Sequence, residues 1–104
     1  MAEYQSIKSD VIRQLSLKLP EMRNLFKIES IGIFGSVARG EDTLKSDIDI
    51  LFSFQENEVS IRRYLALAEY LENLFLKKVD LLHSDNLNPR LRKAIDAEVI
   101  WAHA

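Results

Sequence analysis

The residues from Gly35 to Ile50 have the sequence GSVARGEDTLKSDIDI, in which glycine, serine and aspartate occur between two apolar runs. This stretch places a Gly-Ser pair after one apolar run and two carboxylates, Asp47 and Asp49, at the start of the next. A hydrophobic core needs neither feature, because Asp is disfavoured in strand interiors and two like charges repel each other. The stretch therefore predicts one site, in which Gly35 and Ser36 bind a phosphate while Asp47 and Asp49 bind a metal ion.

Apolar runs on both sides of this stretch predict the strands that carry the site. Residues 28–34, IESIGIF, have the composition of a buried strand, and residues 47–54, DIDILFSF, alternate with the period of a half-buried strand. One face of the second strand is predicted to hold Ile48, Ile50, Phe52 and Phe54, and the other face Asp47, Asp49, Leu51 and Ser53. Residues 78–83, KVDLLH, predict a third strand with Asp80 between apolar neighbours.

Helices are predicted before and between these strands. Residues 4–19 have apolar side chains at intervals of four, and Pro20 is expected to end or kink that helix. A second helix is predicted over 60–77 with Ser60 as its N-cap, and a third over 87–97. The apolar stripe of the second helix is predicted to contain Ile61, Leu65, Ala68, Leu71 and Phe75.

The order of these elements predicts the fold class. Helix, strand, strand, helix, strand and helix, with a short strand at 98–102, indicate an α+β fold of the α/β-sandwich type, with a small mixed sheet and helices packed on one face. The apolar face of residues 47–54 is expected to contact the helices, which leaves the face with both aspartates open to a ligand. A length of 104 residues predicts a single domain over 1–104.

Composition narrows the class of function. The formal net charge of -2 argues against a large duplex-DNA footprint, which usually needs a basic face. A nucleotide stays compatible with this charge, because a bound metal can offset the phosphates. The absence of cysteine excludes disulfides and thiolate metal sites and favours a reducing compartment. No apolar run approaches the roughly 20 residues that span a bilayer, so a cytoplasmic protein is predicted.

The spacing of the aspartates suits a metal site. Residues i and i+2 of a strand face the same side, with Cα atoms roughly 6.5–7 Å apart, so Asp47 and Asp49 can converge on one cation. Carboxylate oxygens suit Mg²⁺ or Mn²⁺, and Asp80 can join them if its strand is a neighbour. Spacing alone leaves a second interpretation open, in which Asp47 is a turn residue, Asp49 faces solvent and Asp80 ends a loop.

The Gly-Ser pair predicts a phosphate-binding turn. A chain that leaves a strand at Gly35 and enters a short helical segment presents free backbone N–H groups, and Ser36 adds a hydroxyl. Arg39 and Lys45 are nearby cations that could contact phosphates, although each alone is slightly more typical of solvated surface charge. A Walker loop is excluded because Glu41-Asp42 stand where Lys and Ser or Thr should follow, and G-x-G-x-x-G is absent.

Together these residues resemble the signature of the DNA polymerase β-like nucleotidyltransferase superfamily, which is Gly-Ser, ten residues, then Asp-x-Asp. The fuller string FGSVARGEDTLKSDIDILF is similar to that of its small stand-alone members, the minimal nucleotidyltransferases. The resemblance implies that Gly35 and Ser36 bind the phosphates of ATP. It also implies that Asp47, Asp49 and Asp80 hold two Mg²⁺ ions, or Mn²⁺, and that Asp80 helps to activate the attacking hydroxyl.

The resemblance further implies transfer of AMP from ATP to a hydroxyl, with release of pyrophosphate. Minimal nucleotidyltransferases resemble the antitoxin half of a type VII-like module, so the expected partner is a HEPN-domain toxin, with a tyrosine as acceptor and a hetero-oligomer as assembly. Direct nucleic-acid or membrane binding is not expected. Two alternatives stay open: neutralisation by contact without turnover, and transfer to a small molecule. Against the second, 104 residues leave no room for an acceptor domain.

Two residues near the third strand are open to a second interpretation. His83 lies three residues after Asp80 and could approach the site, but a histidine at a strand end is more often structural. Asp85 is the rival carboxylate to Asp80, but it lies in a polar loop, whereas apolar neighbours give Asp80 a strand. We therefore assign the third carboxylate to Asp80.

Overall fold

The computed structural model describes residues 3–56 and 60–103. This part of the chain forms four α-helices and four strands, with a short 3-10 turn at Ser84–Asn86. In chain order the elements are α1 (Lys8–Phe26), β1 (Ile28–Phe34), α2 (Gly35–Arg39), β2 (Ile48–Phe54), α3 (Ile61–Phe75), β3 (Val79–His83), α4 (Pro89–Asp96) and β4 (Ile100–Trp101). The three predicted strands and the short fourth strand are therefore confirmed within two residues at each end.

The four strands form one mixed sheet in the order β3-β2-β1-β4. Strand β1 pairs antiparallel with both β2 and β4, whereas β2 and β3 are parallel. The parallel pair requires a crossover, which α3 supplies. The predicted fold class, a small mixed sheet with helices packed against it, is confirmed.

One hydrophobic core lies between the sheet and helices α1 and α3. It contains alternate residues of β2, the buried stripe of α1 and the inner side of α3. Its fully buried large side chains are Leu15, Leu19, Met22, Ile28, Ile31, Ile33, Ile48, Ile50, Phe52, Leu67 and Leu71. Each such side chain stabilises the fold by about 1.5–3 kcal/mol relative to exposure, so this core positions the strands that carry the aspartates.

The opposite face of the sheet is less open than predicted. Leu51, which the alternation of β2 places on the same face as Asp49, is fully buried but lies outside the main core. Ile95 of α4 is also buried outside that core. The face is therefore covered at Leu51, whereas Asp49 is partly accessible and Asp80 is exposed.

The first helix does not end at Pro20, which was one of the two effects predicted for this residue. Helix α1 begins at Lys8 and continues through Pro20 to Phe26. An interior proline costs roughly 3 kcal/mol, but the residues beyond it gain contacts that offset this. Met22 is fully buried, and Tyr70 of α3 donates a hydrogen bond to the Glu21 carboxylate. Tertiary packing, which the local pattern around Pro20 does not report, therefore extends the helix.

The predicted apolar stripe of α3 is wrong at its N-terminal end. Ile61 and Leu65 are 74% and 59% exposed, whereas Leu67 and Leu71 are fully buried. The buried face also includes Tyr64, so it is rotated relative to the prediction. Because isoleucine and leucine occur on both sides of this helix, periodicity alone allowed either phase. The predicted N-cap is confirmed, since the Ser60 hydroxyl accepts the Arg63 N–H at 3.2 Å.

The beginning of α1 is fixed by a residue far along the chain. The buried Asp42 carboxylate accepts the backbone N–H of Ile7 at 3.1 Å and the Tyr4 hydroxyl at 2.6 Å, and it also accepts the Ser6 hydroxyl. Asp42 therefore caps the helix and joins the N-terminal segment to the loop between α2 and β2. No helix in the described part of the chain is long and apolar enough to cross a membrane.

Candidate functional site

The sheet places two of the predicted carboxylates side by side. Asp49 of β2 and Asp80 of β3 are register partners in the parallel pair, and such neighbouring strands lie about 4.8 Å apart. Both residues alternate with buried apolar neighbours, so their side chains point away from the main core. The strand pairing that the sequence left open therefore brings Asp80 beside Asp49.

The Gly-Ser turn lies directly against Asp49. Phe34, the last residue of β1, is the register partner of Asp49, so the chain enters α2 immediately beside that carboxylate. A Cβ atom added to Gly35 would lie 2.1 Å from the Asp49 Oδ2 atom, and Gly35 has a φ of +72°. Only glycine fits both the space and the left-handed backbone. The two halves of the stretch from Gly35 to Ile50 are therefore in contact.

Helix α2 is a single short turn whose N-terminus faces this contact. Its C-cap is Gly40, which also has a φ of +72°. The Glu41 N–H donates a hydrogen bond to the Ser36 carbonyl at 2.9 Å. The first N–H groups of a helix have no acceptor within it. Ser36, which is half-buried, follows Gly35 directly and brings its hydroxyl and its N–H to the same end.

Glu98, which joins the turn from the other side, was not among the predicted site residues. Its Oε1 atom accepts the Gly35 N–H at 2.8 Å, and its Oε2 atom accepts the Arg39 guanidinium at 3.0 Å. Arg39 also donates to Glu41 at 3.1 Å. Gly35 and Glu98 are 63 residues apart, so no local motif links them. Glu98 is the first residue of the predicted strand at 98–102, and its acidic side chain was the only available signal.

The remaining predicted residues lie at the edge of the site. Asp47 is exposed and directly precedes β2, two residues from Asp49. Lys45 is exposed in the turn before it, where its backbone N–H donates to the Thr43 hydroxyl at 3.2 Å. Across residues 3–56 and 60–103, the Lys45 side chain forms no hydrogen bond or ion pair. The roles of Asp47 and Lys45 therefore stay predictions.

The electrostatics of the site favour a cation. Burial raises the pKa of Asp49, and the neighbouring carboxylates of Asp80 and Asp47 raise it further, while Arg39 acts in the opposite direction. The pKa of Glu98 is lowered, chiefly by the hydrogen bond from the Gly35 N–H and also by Arg39. A positive charge close to Asp49 would relieve the repulsion between the aspartates.

The donor set fits a divalent ion only in part. Carboxylate oxygens are the ligands that Mg²⁺ prefers, and substrate phosphates commonly complete its coordination. Within the described ranges, however, no three carboxylate, histidine or cysteine side chains form a group ready to hold a metal ion. Asp49 and Asp80 therefore provide a partial site, and the further ligands would come from Asp47 and a nucleotide.

His83 lies on the other face of β3. It is buried, its ring contacts Phe52 and Phe54 at centroid distances of 5.0 and 5.5 Å, and neither ring nitrogen has a hydrogen-bond partner in the described structure. It lines an apolar cavity of about 330 Å³ together with Tyr64 and Leu81. Because Asp80 and His83 lie on opposite faces of β3, the structural interpretation of His83 is favoured. Asp85, in the 3-10 turn beyond β3, is exposed.

Comparison with known proteins gives a family and several relatives. A family model described as Polymerase beta, Nucleotidyltransferase matches residues 19–102. A protein of Methanocaldococcus jannaschii, provisionally named a protein adenylyltransferase, is 44% identical over 82 residues, which cover 77% of this chain and 82% of the relative. The protein adenylyltransferase MntA of Thermococcus cleftensis is 40% identical over 81 residues, covering 78% and 81%.

Solved structures share the fold. One that is provisionally named a minimal nucleotidyltransferase is 31% identical with a TM-score of 0.74, covering 88% of this chain and 92% of that chain. Another is the MNT antitoxin in complex with a tri-AMPylated HEPN toxin from Shewanella oneidensis. It is 19% identical with a TM-score of 0.64, covering 90% and 70%, and at this identity it shows the fold alone.

Proposed function

Because the chain belongs to the polymerase β nucleotidyltransferase family, we propose that it transfers AMP from ATP to a hydroxyl of a partner protein. The observation that carries this proposal is the contact between Gly35 and Asp49, with Asp80 beside them in register. It joins a turn suited to phosphates to carboxylates suited to a cation. Those are the two functions that transfer of a nucleotide requires.

Each residue has a role that follows from its position. The N–H groups at the start of α2 and the Ser36 hydroxyl bind the phosphates that leave as pyrophosphate. Arg39 lies one helical turn further on, and its guanidinium offsets their charge. Two Mg²⁺ ions, or Mn²⁺, held by Asp47, Asp49, Asp80 and the triphosphate would supply the remaining charge neutralisation.

The reaction needs a base and a displacement. The acceptor oxygen forms a bond to the α-phosphorus of ATP, and the bond from that phosphorus to the bridging oxygen of pyrophosphate breaks. Asp80 accepts the proton of the attacking hydroxyl, since it is exposed beside Asp49 and has no hydrogen-bond partner among the described residues. Besides neutralising the phosphate charge, the chain thus orients ATP and accepts one proton.

The proposed partner is a HEPN-domain toxin with a tyrosine as the AMP acceptor, so that the chain acts as the antitoxin of a hetero-oligomeric pair. Two relatives that are at least 40% identical carry the name protein adenylyltransferase, which supports a protein acceptor. A structural neighbour is an antitoxin bound to an AMPylated HEPN toxin, which supports the class of partner. Exposed apolar side chains on α3, at Ile61 and Leu65, provide a surface that a partner can cover.

The same exposed surface favours a second candidate, in which the chain neutralises its partner by contact without turnover. The two candidates differ in what they require of Asp49. Transfer needs the carboxylate, whereas binding through α3 does not, because Asp49 and α3 lie on opposite faces of the sheet.

The test is to incubate the purified chain with α-labelled ATP, Mg²⁺ and a purified HEPN-domain toxin. We expect label on the toxin with the wild-type chain, a loss of at least 100-fold with Asp49→Asn, and wild-type labelling with Asp85→Asn. Asp85→Asn is the matched control because it removes a nearby carboxylate that lies outside the site. A stable, inactive complex without label on any component would contradict transfer and support neutralisation by contact.

A further inference from the structure

Glu98 connects two groups that the proposed reaction uses. One carboxylate oxygen accepts the N–H of Gly35 at 2.8 Å, and the other accepts the guanidinium of Arg39 at 3.0 Å. Gly35 begins α2 and Arg39 ends it, so a single carboxylate spans the whole phosphate-binding turn. Glu98 is only half-buried, but both of its oxygens have a donor.

The position of Glu98 is fixed by regular structure on both sides. Its N–H donates to the Ile95 carbonyl at 3.0 Å, at the end of α4, and two residues later Ile100 pairs with Ile33 of β1. The approach of β4 depends on Gly32, because a Cβ atom there would lie 2.6 Å from the Ile100 carbonyl oxygen. Strand β4 therefore holds Glu98 beside Gly35.

The direction of the Gly35 N–H shows whether the Glu98 carboxylate occupies the place of a phosphate or lies beside it. Strands β1 and β4 are antiparallel neighbours, and Glu98 accepts the Gly35 N–H where the strand pairing has ended. This N–H therefore points along the sheet toward β4 and is already paired. The following N–H groups of α2, at Ser36 and Val37, have no acceptor within the helix and can bind an anion.

Arg39 keeps donors for a phosphate while Glu98 holds it. A guanidinium has five N–H donors, and the contacts with Glu98 and Glu41 use the Nη1 and Nε atoms. The Nη2 group is left for a ligand, and Arg39 is partly exposed. A planar guanidinium fixed on one side presents its other side in a defined direction, which reduces the entropy lost on binding.

We propose that Glu98 is a positioning residue for the triphosphate, holding the Gly35-Ser36 turn and the Arg39 guanidinium in the arrangement that receives the phosphates of ATP. This inference rests on the proposed function, since it assigns the ligand of the turn as a nucleoside triphosphate. It adds a carboxylate from the segment between α4 and β4 to a site otherwise formed by residues 35–80. Glu98 acts through Gly35 and Arg39 and does not itself contact the nucleotide.

The test measures the affinity for a non-hydrolysable ATP analogue and for AMP, each with Mg²⁺, by calorimetric or NMR titration. We expect Glu98→Ala to weaken binding of the analogue by about tenfold or more while AMP affinity changes less than twofold, since AMP lacks the phosphates that the turn binds. Glu98→Gln keeps an acceptor for the Gly35 N–H and loses the ion pair with Arg39. Its effect should therefore be smaller, about threefold.

Asp85→Asn is the control, because Asp85 is an exposed carboxylate in the 3-10 turn beyond β3 and lies outside the site. We expect it to change analogue affinity by less than twofold. Thermal unfolding of each variant checks the fold, and Glu98→Gln decides the question if Glu98→Ala does not fold. Equal or tighter binding of the analogue by the Glu98 variants would overturn the proposal and identify Glu98 as a competitor of the phosphates. Equal weakening for both nucleotides would overturn it in favour of a general structural role.

The outcome is separable from that of the proposed function. Measurements on the wild-type chain test whether a triphosphate binds and, with the partner added, whether AMP is transferred. The ratio of variant to wild-type affinity tests Glu98. A wild-type chain that binds and transfers, combined with a ratio near one, would remove the role of Glu98 and leave the proposed function intact.

Discussion

At the scale of single residues, Asp42 joins the N-terminal segment to the loop between α2 and β2 through one buried carboxylate. It accepts hydrogen bonds from the Tyr4 hydroxyl, the Ser6 hydroxyl and the Ile7 N–H. Burial opposes ionisation, but these hydrogen bonds outweigh it, and the pKa of Asp42 is lowered. Because Asp42 also lies in the loop that connects the Gly-Ser turn to β2, its contacts help to fix the position of Asp49.

This shift predicts how the stability of the protein depends on pH. The folded-state pKa lies below the unfolded value of about 3.9, so ionised Asp42 stabilises the fold above that pH. The stabilisation is lost as the pH falls through the folded-state pKa. We expect Asp42→Asn to lower the free energy of unfolding at pH 7 by about 1–3 kcal/mol, and the difference from wild type to shrink below about pH 4.

Urea unfolding between pH 3 and pH 7 measures this difference. Asp10→Asn is the control, because it removes the same charge from an exposed ion pair with Arg13, which contributes about 0–1 kcal/mol. A loss for Asp42→Asn that is the same at pH 3 as at pH 7 would show that the ionised carboxylate is not the source of the stability.

The site residues that could be predicted from the sequence lie close together along the chain. Gly35, Ser36, Asp47 and Asp49 lie within one stretch whose spacing carries the chemistry, so a linear pattern is sufficient to find them. Glu98 and Asp42 meet their partners over 59–63 and 35–38 residues. No periodicity or motif links residues that far apart, and only the pairing of β4 with β1 and the packing of the N-terminal segment bring them together.

At the scale of helices and strands, α1 shows where a local rule and tertiary packing disagree. The proline rule predicts an end at Pro20, but the helix continues because the residues beyond it are buried. The strands were predicted more closely, since their alternation has a period that no helix shares. The phase of α3 could not be predicted, because apolar residues occur on more than one side of that helix.

The extended α1 gives a test by core deletion. We expect Met22→Ala to lower the free energy of unfolding by about 2–5 kcal/mol, because Met22 is 0% exposed and packs two residues beyond Pro20. Leu17→Ala is the matched control on the same helix. Leu17 is 66% exposed, so the expected loss is at most about 0.5 kcal/mol. Chemical denaturation of both variants gives the comparison, and equal losses would mean that the helix does not pack beyond Pro20.

At the scale of the whole molecule, the sheet collects negative charge on one face. Asp49, Asp80, Asp47 and Glu98 come from three strands or their ends, and Arg39 is the cation that opposes them. The raised pKa of Asp49 means that its ionisation destabilises the folded state as the pH rises past the unfolded value of about 3.9. A divalent cation at this face would remove that penalty.

We therefore expect Mg²⁺ to stabilise the folded chain, and more at neutral pH than near pH 4, where protonation of Asp49 competes with the cation. At an Mg²⁺ concentration tenfold above its Kd, the gain is about 1.4 kcal/mol. Thermal unfolding with Mg²⁺ or with EDTA measures it, and Asp49→Asn should abolish the gain while Asp85→Asn keeps it. A gain that is independent of pH, or that survives in Asp49→Asn, would place the cation elsewhere.

The Gly-Ser turn and Asp49 can lie in contact because Gly35 has no Cβ atom to displace that carboxylate. The most direct measurement compares AMP transfer by Gly35→Ala and Gly40→Ala. Both glycines have a φ of +72°, but a Cβ at Gly40 meets no atom within 4 Å, whereas at Gly35 it would lie 2.1 Å from Asp49. Each substitution costs about 1–2 kcal/mol of stability from backbone strain.

We predict that Gly40→Ala keeps transfer activity within about threefold of wild type, and that Gly35→Ala loses at least 100-fold, which corresponds to about 2.7 kcal/mol. Thermal unfolding should show a folded protein in both cases. AMP transfer by Gly35→Ala at the level of Gly40→Ala would contradict a single site, because it would mean that the turn and Asp49 do not act together.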